Sequence, residues 1–154
     1  MARNIYDIFT EAKEIRRGIN ALLARADFTY YDDLSGVETD ETDPDQLFLR
    51  DELASVLSDL DDAVRSLNYL SRPIKTEGTL HKQSNGRYEV NGTELTSGHG
   101  VEYLATDDRH SVYVNGDYQP VPYWRSSRIE HNGKDYYIVG ADIGSLEGLT
   151  VRIR

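Results

Sequence analysis

The stretch Leu67-Asn68-Tyr69-Leu70-Ser71-Arg72-Pro73-Ile74-Lys75-Thr76-Glu77-Gly78-Thr79-Leu80 decides the fold, because the hydrophobic period changes across it. Before Pro73, apolar residues recur every three or four positions, the mark of a helix with one buried face. Residues 45–71 carry Leu49, Leu53, Val56, Leu57, Leu60, Val64, Leu67 and Leu70 on such a stripe. Asp43 or Thr42 can cap this helix, Pro44 suits its first turn and Pro73 ends it. Asp43 and Asp45 also suit the positive end of its dipole. Upstream, residues 4–26 repeat the pattern with Ile5, Ile8, Phe9, Ala12, Ile15, Ile19, Leu22, Leu23 and Ala26. Two matching stripes joined by a polar loop predict an antiparallel helical hairpin. Two helices bury one face poorly, so a homodimer through a four-helix arrangement is a further expectation.

After residue 77 the period becomes two. Strands are expected at Gly78–Lys82, Arg87–Val90, Val101–Ala105, Ser111–Val114, Arg128–His131, Lys134–Val139 and Leu149–Ile153. Four Asn-Gly pairs punctuate them, at 85–86, 91–92, 115–116 and 132–133. Asn-Gly tolerates positive φ at both centres of a type I′ turn, whose twist suits a β-hairpin. Short, dense strands with no helix between them predict a small antiparallel β-barrel-like domain. The expected class is therefore α+β, with an acidic helical hairpin at 1–72 and a β-rich domain at 73–154.

Charge divides the chain the same way. Residues 27–62 hold thirteen carboxylates and one base, Arg50, a local charge of −12 against −10 for the whole chain. Such a surface repels nucleic acid and attracts basic proteins, among which nucleic-acid binders present the largest basic areas. The expected interface is Asp32, Asp33, Glu38, Asp40, Glu41, Asp43, Asp45, Asp51, Glu52, Asp59 and Asp62. On the second helix Glu52, Asp59 and Asp62 share a side with Ser55 and Ser66, away from the apolar stripe. Carboxylates a turn apart stand about 5–6 Å from one another, near the phosphate spacing of a strand. Of these helix acids, Asp61 and Asp62 have a base, Arg65, within reach. The competing reading is a solvated face and an acidic loop. A second expected surface is Tyr113, Tyr118, Tyr123 and Trp124, with Arg109, Arg125 and Arg128 nearby. Aromatics and arginine of this kind stack bases, form interface hot spots or fill a β core. The overall acidity argues against direct nucleic-acid binding.

Other chemistry is not indicated. The chain has no cysteine, which excludes disulfides, thiolate zinc sites and cysteine nucleophiles and fits a reducing cytoplasm. No stretch of 18 apolar residues exists to cross a membrane, and Met-Ala-Arg-Asn-Ile-Tyr-Asp does not read as a secretory signal. Asp40, Asp43 and Asp45 lack the glycine turn and distal glutamate of a calcium loop. His81, His99, His110 and His131 show no zinc spacing. Ser97 and His99, with Asp107 and Asp108 downstream, lack a nucleophile-elbow motif. Neither a metal, a cofactor nor catalysis is expected.

The β half resembles a family of uncharacterised domains of Gram-positive phages, plasmids and conjugative elements. The resemblance rests on Gly78-Thr79-Leu80, on 85–90 (Asn-Gly-Arg-Tyr-Glu-Val), on 94–98 (Glu-Leu-Thr-Ser-Gly), on 128–137 (Arg-Ile-Glu-His-Asn-Gly-Lys-Asp-Tyr-Tyr) and on 146–154. It implies a habitat, the cytoplasm of a bacterial host cell, and not a mechanism. Small acidic proteins of mobile elements often counter host defence by imitating DNA. The resulting expectation is a non-enzymatic anti-CRISPR inhibitor acting on a type II RNA-guided nuclease. The alternative is an adaptor or self-assembly module that binds a protein or peptide through the tyrosine-rich β domain.

Overall fold

The computed structural model describes residues 4–29 and 33–154. They form two helices, α1 (Ile5–Arg25) and α2 (Pro44–Ser71), followed by ten short strands. The chain divides into two compact units, Met1–Arg72 and Pro73–Arg154.

In the first unit, α1 starts where the Asn4 side chain accepts a hydrogen bond from the Tyr6 amide. It ends in a Schellman-type turn. Asp27 takes φ +49°, the Phe28 amide reaches the Leu23 carbonyl and the Asp27 amide reaches that of Ala24. Asp43 caps α2 by accepting from the Asp45 amide, and Pro44 occupies the first turn, where a missing N–H costs nothing. Leu23, Leu34 and Leu57 form a buried cluster, flanked by Ile19, Ala26, Phe28, Ala54 and Leu60. Arg16 donates to Asn68 at 2.8 Å, tying α1 to the last turns of α2.

The second unit is built on a five-stranded antiparallel sheet. Its order is β1 (Thr76–Thr79), β10 (Thr150–Ile153), β5 (Gly100–Ala105), β8 (Tyr123–His131) and β9 (Tyr136–Ile138). A second sheet joins β2 (His81–Lys82), β3 (Tyr88–Val90) and β4 (Thr93–Leu95). Leu80, between β1 and β2, is fully buried where the chain leaves one sheet for the other. One core unites them: Leu80, Tyr88, Val90 and Leu95 cluster with Val101, Tyr103, Ile129, Ile138, Leu146 and Val151. The alternation of β5 places Val101, Tyr103 and Ala105 inward and turns Glu102 to the opposite face. A separate two-stranded ribbon, β6 (Ser111–Val114) and β7 (Asp117–Pro120), is exposed along its whole length.

The α+β class is as expected, but no closed barrel forms. The five-stranded sheet has edges at β1 and β9, which are four and three residues long. The turn at Leu80 sends the chain into a second sheet instead of closing the first.

The Asn-Gly pairs behave in two ways. Asn91-Gly92 and Asn115-Gly116 have positive φ at both residues, the type I′ signature. At 85–86 and 132–133 only the glycine does. There the asparagine side chain forms an Asx turn instead: Asn85 Oδ1 accepts from the Arg87 amide, and Asn132 Oδ1 from those of Lys134 and Asp135.

Candidate partner-binding surface

The acidic residues fall into two groups. The first holds the loop and the start of α2 in shape. Asp33 accepts from the Ser35 amide at 3.0 Å, and its carboxyl lies below the usual range because of Ser35. Asp40 accepts from both the amide and the hydroxyl of Thr42, which lowers its pKa likewise. Asp43 is the cap just described and also accepts from Gln46 at 3.1 Å. Glu41 pairs with Arg50 at 2.9 Å, and Asp51 lies 3.5 Å from the same guanidinium. Arg50 is therefore a neutralising partner that helix spacing alone does not reveal, since Glu41 precedes the helix. Arg65 pairs with Asp61, leaving Asp62 outside that bond.

The second group has no such task. Glu38, Asp45, Glu52, Asp59 and Asp62 are solvent-facing, and their side chains make no hydrogen bond or ion pair among the described residues. Asp45, Glu52 and Asp59 recur every seventh residue, a rise of about 10.5 Å per step along one side of α2. Phe48, 67% exposed, sits between Asp45, Asp51 and Glu52 on this surface. Asp32 lies outside the described residues.

The aromatic residues do not form one patch. Tyr113 and Tyr118 face each other across the β6–β7 ribbon, with ring centres 5.1 Å apart and both rings exposed. Tyr123 packs on the β core, donates to Asp107 at 2.7 Å and meets His110 edge-on at 4.5 Å. Burial raises its hydroxyl pKa, while that hydrogen bond lowers the carboxyl of Asp107. Trp124, next along an extended strand, faces the other way and carries the Arg152 guanidinium 4.3 Å above its ring. Beside it, Glu102 is buried and accepts from both Arg152 and Arg154.

The β unit also holds a cleft of about 760 Å³, which no sequence motif announces. Tyr103, Asp107, Arg125 and residues 140–144 line it. Arg125 lies 3.5 Å from Asp107 and over the Tyr103 ring. With Arg125 beside Asp107 and Asp142 in its lining, the cleft is suited to polar contacts. Ser97 and His99 are engaged separately: Ser97 Oγ accepts from the His131 amide, and His99 Nδ1 from that of Thr96. Among the described residues no group of three or more His, Asp or Glu side chains could hold a metal ion, and no helix is long and apolar enough to cross a membrane.

No curated protein and no solved structure matches the chain. Residues 78–153, which run from within β1 to the last residue of β10, match the model of a family described as a domain of unknown function (DUF5348).

Proposed function

We propose that the protein is a non-enzymatic inhibitor that occupies the basic surface of a nucleic-acid-handling protein with the carboxylates of its helical unit. The observation that carries this reading is the row Asp45, Glu52, Asp59 with Asp62, exposed and unneutralised on a helix. Uncompensated like charges destabilise the compact state through self-repulsion, so a row that no internal partner relieves is explained by an external one. The scaffold proposed for it is an antiparallel helical hairpin. Arg16 with Asn68, and Leu23 clustered with Leu57, support that direction.

The target we favour is the RNA-guided nuclease of a type II CRISPR system in a bacterial cytoplasm, and the source a phage or other mobile element. The resemblance of the β half to domains of Gram-positive mobile elements supports the habitat. The charge suits a channel that grips a nucleic-acid duplex through its backbone. The test is DNA cleavage by a purified type II nuclease, with the protein added before or after target DNA at two salt concentrations. Inhibition limited to addition before DNA, and weaker at high salt, is the expected result. No inhibition in either order removes this target.

The adaptor reading has one observation in its favour, the exposed β6–β7 ribbon with Val112, Tyr113, Val114 and Tyr118. A tyrosine-bearing ribbon can add to a partner's sheet or peptide, with little dependence on salt. A partner retained at high salt by the wild type and lost in Tyr113→Ser would favour it.

A further inference from the structure

On α2, apolar residues continue from Leu49 to Leu67 in alternating steps of four and three. On α1 they run from Ile5 to Leu22 in steps of three and four. A stripe of that width exceeds what the pair buries. Leu23, Leu57 and Val64 take the buried positions, while Leu49, Leu53 and Val56 remain 55, 40 and 49% exposed. On α1, Ile15 and Leu22 remain 64 and 39% exposed. Successive helical residues are about 100° apart. Leu22 thus lies a quarter-turn from Leu23 on α1, and Val56 a quarter-turn from Leu57 on α2. In antiparallel helices the sense of rotation is opposite when both are viewed from one end, so these displacements point to the same side of the pair. The exposed halves of the two stripes form one apolar groove, in which Leu49, Leu53 and Val56 span about 10.5 Å along α2, with Leu34 and Val37 of the loop walling its end at Leu49 and Leu53.

We propose that this groove seats a basic amphipathic helix of the partner protein, an inference that rests on the inhibitor reading above. Charge selects the occupant. Asp45, Glu52 and Asp59 form the outer rim of the groove on α2, while the rim on α1 carries Asp7 and, five turns on, Arg25. An isologous contact with a second copy would set the same acidic rim against itself, where like charges cost free energy. A helix with leucine or isoleucine at heptad positions and lysine or arginine beside them satisfies both floor and rim. Phe48, among Asp45, Asp51 and Glu52, offers an arginine of that helix a ring face within a ring of carboxylates.

The test titrates three synthetic 18-residue peptides onto the full chain by calorimetry. One has leucine at a and d and lysine at e and g; the second replaces lysine by glutamate; the third replaces leucine by serine. Only the leucine–lysine peptide is expected to bind. Val56→Asp and Leu49→Ser, both at exposed positions, should weaken it about tenfold or more. Val56→Asp is decisive because it adds negative charge: binding by charge alone would be unchanged or tighter, and that result overturns the proposal. So does absence of binding, or a homodimer in light scattering that Val56→Asp dissociates and the peptide does not. Nuclease inhibition separates this inference from the reading beneath it. Inhibition lost in the Glu52→Lys/Asp59→Lys pair but intact in Val56→Asp overturns the groove alone. Inhibition intact in both overturns the inhibitor reading, and the calorimetry then decides the groove by itself.

Discussion

Glu102 shows how this small β unit uses a single charge. It is buried on the sheet face opposite the core and accepts from Arg152 and Arg154, the former held over Trp124. Removing one member of a buried ion group strands the others, at a cost of about 3–5 kcal/mol. Glu102→Ala should therefore lower stability by about 3 kcal/mol in urea unfolding, and Glu102→Gln by less, since the amide oxygen still accepts. Glu147 is the exposed counterpart. It accepts from the Lys82 amide and from His81, which hold its carboxyl below the ordinary 4.5. A carboxyl depressed in the folded state stabilises above its unfolded pKa and loses that contribution as pH falls through the folded value. Glu147→Gln should thus be less stable than wild type at pH 7, and the gap should close below pH 4.5, as read from urea midpoints at several pH values.

At the level of elements, the start of α2 rests on Asp43. Asp43→Ala should cost about 1 kcal/mol and loosen the loop that Gln46 braces against the same carboxylate, seen as lost helicity and faster amide exchange over residues 38–47. Both helices were legible from the periodicity of their apolar stripes, and for α2 the cap at Asp43 and the prolines at 44 and 73 agree with the stripe. Among the strands, the expected Gly78–Lys82 divides at Leu80 between β1 and β2, and the first five residues of β8 precede the expected Arg128–His131. The three-residue β4 and the ribbon partner β7, whose Asp, Gln and Pro argue against a strand, were set by hairpin geometry instead. An Asn-Gly pair with a strand on one side implies one on the other, and that signal could have found both. Proximity in sequence groups Tyr123 with Trp124, although an extended chain sends neighbours to opposite faces. The Arg50–Glu41 pair spans a loop and a helix start, so no periodic rule reveals it. The cleft is lined by residues from 103 to 149, brought together by strand pairing alone.

For the molecule as a whole, net charge and structure divide at the same place: the first 72 residues carry eight bases and sixteen acids, the remainder nine and eleven. Salt screens the crowded carboxylates of the helical unit far more than the near-balanced β unit. Moving from 50 mM to 500 mM NaCl should raise the melting point followed by helical circular dichroism, while the Trp124 fluorescence transition moves little. The turns add a different consequence, chemical ageing. Asparagine before glycine loses its amide when the next backbone nitrogen attacks the side-chain carbonyl, and the side chain must be free to swing. Asn85 is held by Arg87 and Glu94, Asn91 by Thr76 and Glu77, and Asn132 by two amides. Asn115, at the tip of the exposed ribbon, has no side-chain hydrogen bond among the described residues. Peptide mapping of protein stored at mildly alkaline pH should find Asn115 converted to aspartate and isoaspartate first. The protein thus carries a clock at the end of its ribbon, and each conversion adds one more negative charge to a chain already rich in them.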